Sequence, residues 1–220
     1  MDDTTDGRRH GRSIAVEGTG RVRVEPDEAI VELGVLVLRP TASNARDEAA
    51  VQMTRVVDAL RGAGIADTDL RTSALSLSPT YEHRPDGTSR RTGYEVANRV
   101  TATVRAIESL APIVDAAIAA GATSLDGVSF RRADETAAER DALAAAIAAA
   151  RQKAEAVAAA AGVALAQIEW VEEAGSMTPH PGAKLMRMEA FAVADTPVMG
   201  GTMEIARSVR VVFAIADQHG

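Results

Sequence analysis

Thioether and imidazole side chains gather in one stretch of this 220-residue chain: Met177, His180, Met186, Met188, Met199 and Met203 include five of its seven methionines. Soft donors of this kind suit copper(I), which makes Met177, His180, Met186 and Met188 the candidate metal ligands. Methionine is also a flexible apolar residue that adapts to what packs on it. A packed or interface loop is the stronger reading of the stretch, with Met186 and Met188 as contact residues and no resident cofactor.

The other constellations carry less. Gly18-Thr19-Gly20 follows a strand pattern, as a dinucleotide loop would, but no third glycine lies three residues on. Arg21-Val22-Arg23-Val24 then continues as a strand, where pyrophosphate binding requires a helix N-terminus. A bulge or bend is the better assignment. His10, His83, His180 and His219 fall in loops or tails, with no HExxH and no partner at recognisable spacing. Arg84, Arg90 and Arg91 make a basic loop around Pro85-Asp86-Gly87. Asp67 and Asp69 read as turn residues, and Asp134, Glu135 and Glu139 complement the positive end of a helix. The chain has no cysteine, which excludes thiolate catalysis, disulfides and thiolate metal sites. No catalytic residue is assigned, and the expectation is a protein that is not an enzyme.

Net charge is -7, which disfavours sequence-independent nucleic-acid binding, because that needs basic surface to displace counterions. Hydrophobic residues make up 46% and aromatics only 3%, so the core is built from Val, Leu, Ile and Ala. Residues 1–12 are polar and read as a disordered tail, as do 217–220. No apolar h-region follows the start and no apolar run is long enough to span a bilayer. The expectation from these features is a cytoplasmic protein.

Periodicity places the elements. Ser13 to Val24 and Ala29 to Leu38 alternate as strands. Pro40 and Thr41 open a helix to about Arg61, with Ala49, Met53, Val56 and Leu60 on one face and Gly62 and Gly64 at its stop. Leu70 to Pro79 is a half-buried strand, and His83 to Thr92 a charged loop. A second strand–helix–strand follows: Tyr94 to Arg105, a helix bearing Leu110, Ile113, Val114, Ala117 and Ile118, and Ser124 to Arg132. Together these units spell βαββαβ, the order of a ferredoxin-like α+β sandwich. Thr136 to Ala161 is a long alanine-rich helix with a stripe at Leu143, Ile147, Ala150, Ala154 and Val157, capped by Gly162. Leu165 to Glu173 and Gly200 to Ala216 are strands, separated by a mobile loop over 175–199.

Seven sequence pieces in this order resemble the SIMPL-domain family. They are Val16-Glu-Gly-Thr-Gly20 with Pro26-Asp27-Glu-Ala29; Gly64-Ile65 with Leu70-Arg-Thr72; Pro79-Thr-Tyr81; Gly93-Tyr94-Glu-Val-Ala-Asn98; Ala120-Gly121-Ala122 with Asp126-Gly-Val-Ser-Phe130; Ala149-Ala-Arg151-Gln-Lys153-Ala-Glu155 running to Gly162; and Thr196-Pro197 with Gly201. The likeness spans about 13–216, read as one SIMPL domain. It implies an α+β fold with an antiparallel-rich sheet, a tendency to form oligomers, and no established enzyme activity. Bacterial relatives are usually exported to the periplasm or envelope, some linked to oxidative-stress tolerance, and the animal relative is named for association with a signalling kinase. The missing export signal departs from that pattern.

The leading expectation is therefore a self-associating interaction or stress-related protein, with a homo-oligomer or another protein as partner. Leu143, Ile147, Ala150 and Ala154 join Met186 and Met188 as interface candidates, and Ala150→Glu is expected to break assembly or folding. The alternative is a small-ligand or soft-metal binder using the methionine loop.

Overall fold

A computed structural model describes residues 12–85, 87–174 and 200–216. It contains seven strands and three helices: β1 Ser13–Val24, β2 Glu28–Arg39, α1 Ala42–Gly62, β3 Leu70–His83, β4 Ser89–Val104, α2 Leu110–Ala119, β5 Ser124–Arg131, α3 Thr136–Ala161, β6 Ala164–Ala174 and β7 Met203–Ala216. Every strand pair is antiparallel. The strands divide between two sheets, β1-β7-β6 and β3-β4-β2-β5, in two compact units.

The first unit joins the two ends of the chain. Ser13 of β1 pairs with Ala214 of β7 and Val24 with Met203, an unbroken ladder. Gly18-Thr19-Gly20 is therefore neither bulge nor bend but mid-strand. Even-numbered β1 residues are the more enclosed ones and odd-numbered residues are exposed, apart from half-buried Ser13, as a strand with one covered face requires. The cover is α3. A Cβ added at Gly18 would lie 2.0 Å from the Ala146 carbonyl oxygen, and one at Gly20 would lie 2.0 Å from that of Ala142. Only glycine lets the helix backbone come so near.

The facing helix residues are Ala138, Ala142, Ala146, Ala150, Ala154 and Ala158, all buried. Four helical residues advance about 6 Å and two strand residues about 6.6 Å, so an every-fourth alanine ridge keeps step with every-second residue of β1. Phe213, Val211 and Val209 of β7 fill the remaining space beside Ala146–Ala158. The expected stripe is thus displaced. Leu143 and Ile147 are half-buried at its flank, and Val157 is exposed. Gly162 ends the helix at φ 68°, and the Val163 amide reaches back to the Ala158 carbonyl at 3.0 Å, the closure a left-handed residue permits. Arg207, its side chain only 10% exposed, pairs with Glu139 of α3 and lies 3.7 Å from Glu173 of β6.

The second unit has the expected ferredoxin-like order. β2 and β3 run the same way with β4 between them; β4 and β5 do so with β2 between them. Odd residues of β2 from Ala29 to Val37 pack with Val96, Val100, Ala102 and Val104 of β4, with Ala45, Ala49, Met53, Val56 and Leu60 of α1, and with Leu110, Ile113 and Ala117 of α2. The predicted face of α1 is the observed one. Thr41 caps that helix, its Oγ1 accepting from the Asn44 amide at 3.3 Å. The charged loop is shorter than expected: β3 and β4 stay paired to His83 and Ser89, since cross-strand contacts such as Thr80 Oγ1 to Thr92 Oγ1 at 3.1 Å continue the ladder through polar residues.

Gly20→Ala is expected to cost about 3 kcal/mol, the upper end of overpacking penalties, because the obstructing atoms are helix backbone. Gly62→Ala, where an added Cβ meets nothing within 4 Å, should stabilise by about 0.5 kcal/mol. Urea unfolding of the two variants beside the parent checks both signs.

Candidate functional site

Two surfaces of the second unit concentrate charged and apolar side chains: the sheet face turned away from the helices, and the outer edge. On the face, Glu28 is the buried charged residue. Arg105 donates to its Oε1 at 3.0 Å and Arg131 to its Oε2 at 2.9 Å. Arg105 also grips Asp69 with two bonds, 2.9 and 2.6 Å. Forked guanidinium–carboxylate pairing of this kind is strong and directional. Hydrogen bonding from Arg105 holds the Asp69 carboxyl below the usual carboxylate range; burial opposes that shift, and the positive charges of Arg105 and then Arg131 add to it. Two arginines and two carboxylates satisfy one another here, tying the start of β2 to β4, β5 and the turn before β3.

Farther along β2, an irregularity between Glu32 and Leu33 leaves Asp126 of β5 without an opposite residue. Bulges re-aim side chains, and Asp126 meets Arg99 of β4 at 2.7 Å. Gly34 makes room: a Cβ there would lie 2.3 Å from Ser124 Oγ. Gly34, Leu36, Arg99, Thr123, Ser124 and Asp126 border a shallow cleft of about 280 Å³. Thr123 Oγ1 accepts from the Leu36 amide at 2.7 Å. The cleft presents one closed ion pair, hydroxyls and the Asn98 amide, whose Oδ1 is buried without a hydrogen-bond partner among the described residues, and no nucleophile–base pair.

The edges differ in chemistry. Among the described residues β3 and β5 are the outer strands of one sheet and β6 and β1 those of the other. On β3, Leu75 is 68% exposed, Leu77 46% and Tyr81 54%. On β6, Trp170 and Val171 are exposed. Large apolar residues on a free edge mark a surface that pairs or is covered.

The sequence candidates fall variously. Met177, His180, Met186, Met188 and Met199 lie outside the described residues, as do His10, His180 and His219. Met203 is half-buried in β7 opposite Val24. Ala150 and Ala154 are fully buried against β1 and β7, which corrects their assignment as an outward contact face; the helix spends that face on its own unit. Asp69 does lie in the expected turn, but its role as the Arg105 partner was not foreseen. Nor were Glu28, Arg105 and Arg131, whose partners are 77 and 103 positions apart. Their one local signal is an acidic residue, Glu28, opening an apolar strand. Among the described residues no group of three or more His, Asp or Glu is placed to hold a metal ion, and no helix is long and apolar enough to cross a membrane.

The chain matches the SIMPL family, described as a protein of unknown function (DUF541), over residues 14–213. It is 32% identical over 210 residues to the 26 kDa periplasmic immunogenic protein of Brucella melitensis, covering 92% of this chain and 84% of that protein. The protein of the same name from Brucella abortus gives the same identity and coverage. The uncharacterized protein YggE of Escherichia coli strain K12 is 29% identical over 120 residues, 54% of this chain and 48% of that one. The cytoplasmic expectation is overturned by the two Brucella matches, which span nearly the whole chain and are named as periplasmic.

Because Asp69 titrates lower in the folded chain than in the unfolded one, its contribution is present above about pH 4, the ordinary aspartate value, and is lost as pH falls through the folded value. Asp69→Asn should lower the melting temperature by a constant amount from pH 5 to 7. Below pH 4 the gap to the parent should close.

Proposed function

The chain belongs to the SIMPL family, and we propose that it is a non-enzymatic interaction protein of the bacterial periplasm that works by self-association. The observation that carries this is the pair of apolar sheet edges, β3 with Leu75, Leu77 and Tyr81, and β6 with Trp170 and Val171. An unpaired edge presents backbone donors and acceptors ready for another strand, and exposed leucine and tryptophan add apolar area that assembly removes from water. The closed ion clusters of the sheet face support a structural role for its charges rather than turnover. Residues 13–216 act as one SIMPL domain in this account. The names of the Brucella relatives support the periplasmic part of this reading, and the family resemblance motivates a role in stress tolerance.

Light scattering on a sizing column tests the assembly. The expected result is a discrete species at a multiple of the 23.0 kDa chain mass. A single 23.0 kDa species at every concentration would count against it.

A further inference from the structure

We propose that the two edges are complementary halves of one head-to-tail contact, in which the β3–β4 hairpin of one copy docks along β6 of a second copy. This rests on the self-association proposed above and names its surfaces.

Charge is the first reason. The chain carries -7 overall, so copies repel unless opposite charges meet locally. The hairpin end, residues 82–91, holds Arg84, Arg90 and Arg91 against Glu82 and Asp86, a net positive tip on an acidic protein. Arg84, Arg90 and Arg91 are exposed and make no ion pair among the described residues. Arg91 instead lies over the Tyr94 ring, 5.2 Å from its centre. β6 holds Glu169, Glu172 and Glu173 with no basic residue. Glu173 faces Arg207, whereas Glu169 and Glu172 are exposed and without an ion pair among the described residues. Glu169 falls where the β6–β7 register slips between Ile168 and Trp170.

Apolar surface is the second reason. The exposed Leu75, Leu77 and Tyr81 lie on the same strand that ends in the basic tip, and Trp170 and Val171 sit between Glu169, which has no β7 residue opposite, and Glu172, which lies across the ladder from Arg210. Each edge thus offers an apolar stretch next to a net charge, positive at the hairpin tip and negative on β6. With β3 and β6 running in the same direction, Leu75 and Leu77 pass Val163 and Leu165, Tyr81 meets Glu169 and Arg84 meets Glu172, with Arg90 and Arg91 one strand behind on β4 at the level of Glu82 and Tyr81. The two surfaces are different parts of the chain, so the contact is heterologous, and the discrete assembly expected above requires that its repetition close into a ring.

Charge reversal tests it. One variant carries Arg84→Glu, Arg90→Glu and Arg91→Glu; a second carries Glu169→Arg and Glu172→Arg; a third carries all five changes. All five sites are exposed, and circular dichroism melting checks that each variant folds. The expected result is an assembled parent, loss of each partial variant to the 23.0 kDa species, and recovery of assembly in the five-fold variant. An assembled parent whose partial variants also assemble, or whose five-fold variant does not recover, would overturn this contact while leaving self-association standing. A parent that is itself monomeric would overturn both.

Discussion

The close approach of α3 to β1 is the constraint on which the first unit depends. Gly18 and Gly20 remove the side chains that would hold the helix off, and an alanine every fourth residue removes those on the other side. Each alanine buries little area, so the gain comes from many backbone and methyl atoms at van der Waals distance, individually small and collectively large. The tolerance of such a seam is low. Backbone cannot rotate away as a long side chain can, and the ridge has no spare volume along Ala142, Ala146 and Ala150. Because β1 and β7 come from opposite ends of the chain, the seam also makes the fold's first unit a long-range structure, completed only when the last strand is present.

This seam explains what was legible in the sequence and what was not. β2, β4, β7 and α1 declare themselves because side-chain polarity alternates or recurs where one face is buried. β1 declares itself too, and the even-numbered series Ile14, Val16, Gly18, Gly20, Val22, Val24 runs straight through the glycines. A glycine has no side chain to mark its face, so the pair resembles a break. In α3 the polarity pattern selects Leu143 and Ile147, the most hydrophobic residues of the helix, whereas closeness selects the smallest. The division into two sheets is invisible locally, since it rests on pairs such as Thr19 with Ser208, 189 positions apart.

The same lesson holds for the charged face. Glu28, Asp69, Arg105 and Arg131 come from four separate elements and meet only because the βαββαβ order places β4 and β5 on either side of β2. Several pieces that carry the family resemblance turn out to be geometric necessities. Asp27 Oδ1 accepts from the Ala133 amide at 2.8 Å, Glu28 anchors two arginines, Gly93 passes 2.7 Å from Arg39 O if given a Cβ, and Asp126 leaves the ladder to reach Arg99. In this chain those pieces serve the scaffold. Among the described residues the outer strands β3 and β6 carry the exposed large apolar side chains Leu75, Leu77, Tyr81, Trp170 and Val171.

Native-state hydrogen exchange tests the central structural claim most directly. If the glycine–alanine seam holds β1, α3 and β7 as one cooperative body, amides of β1 from Ile14 to Val22 and of α3 from Ala142 to Ala158 should open with a common free energy and a common denaturant dependence. Exchange of β1 amides through a separate, lower-energy opening while α3 stays protected would contradict it.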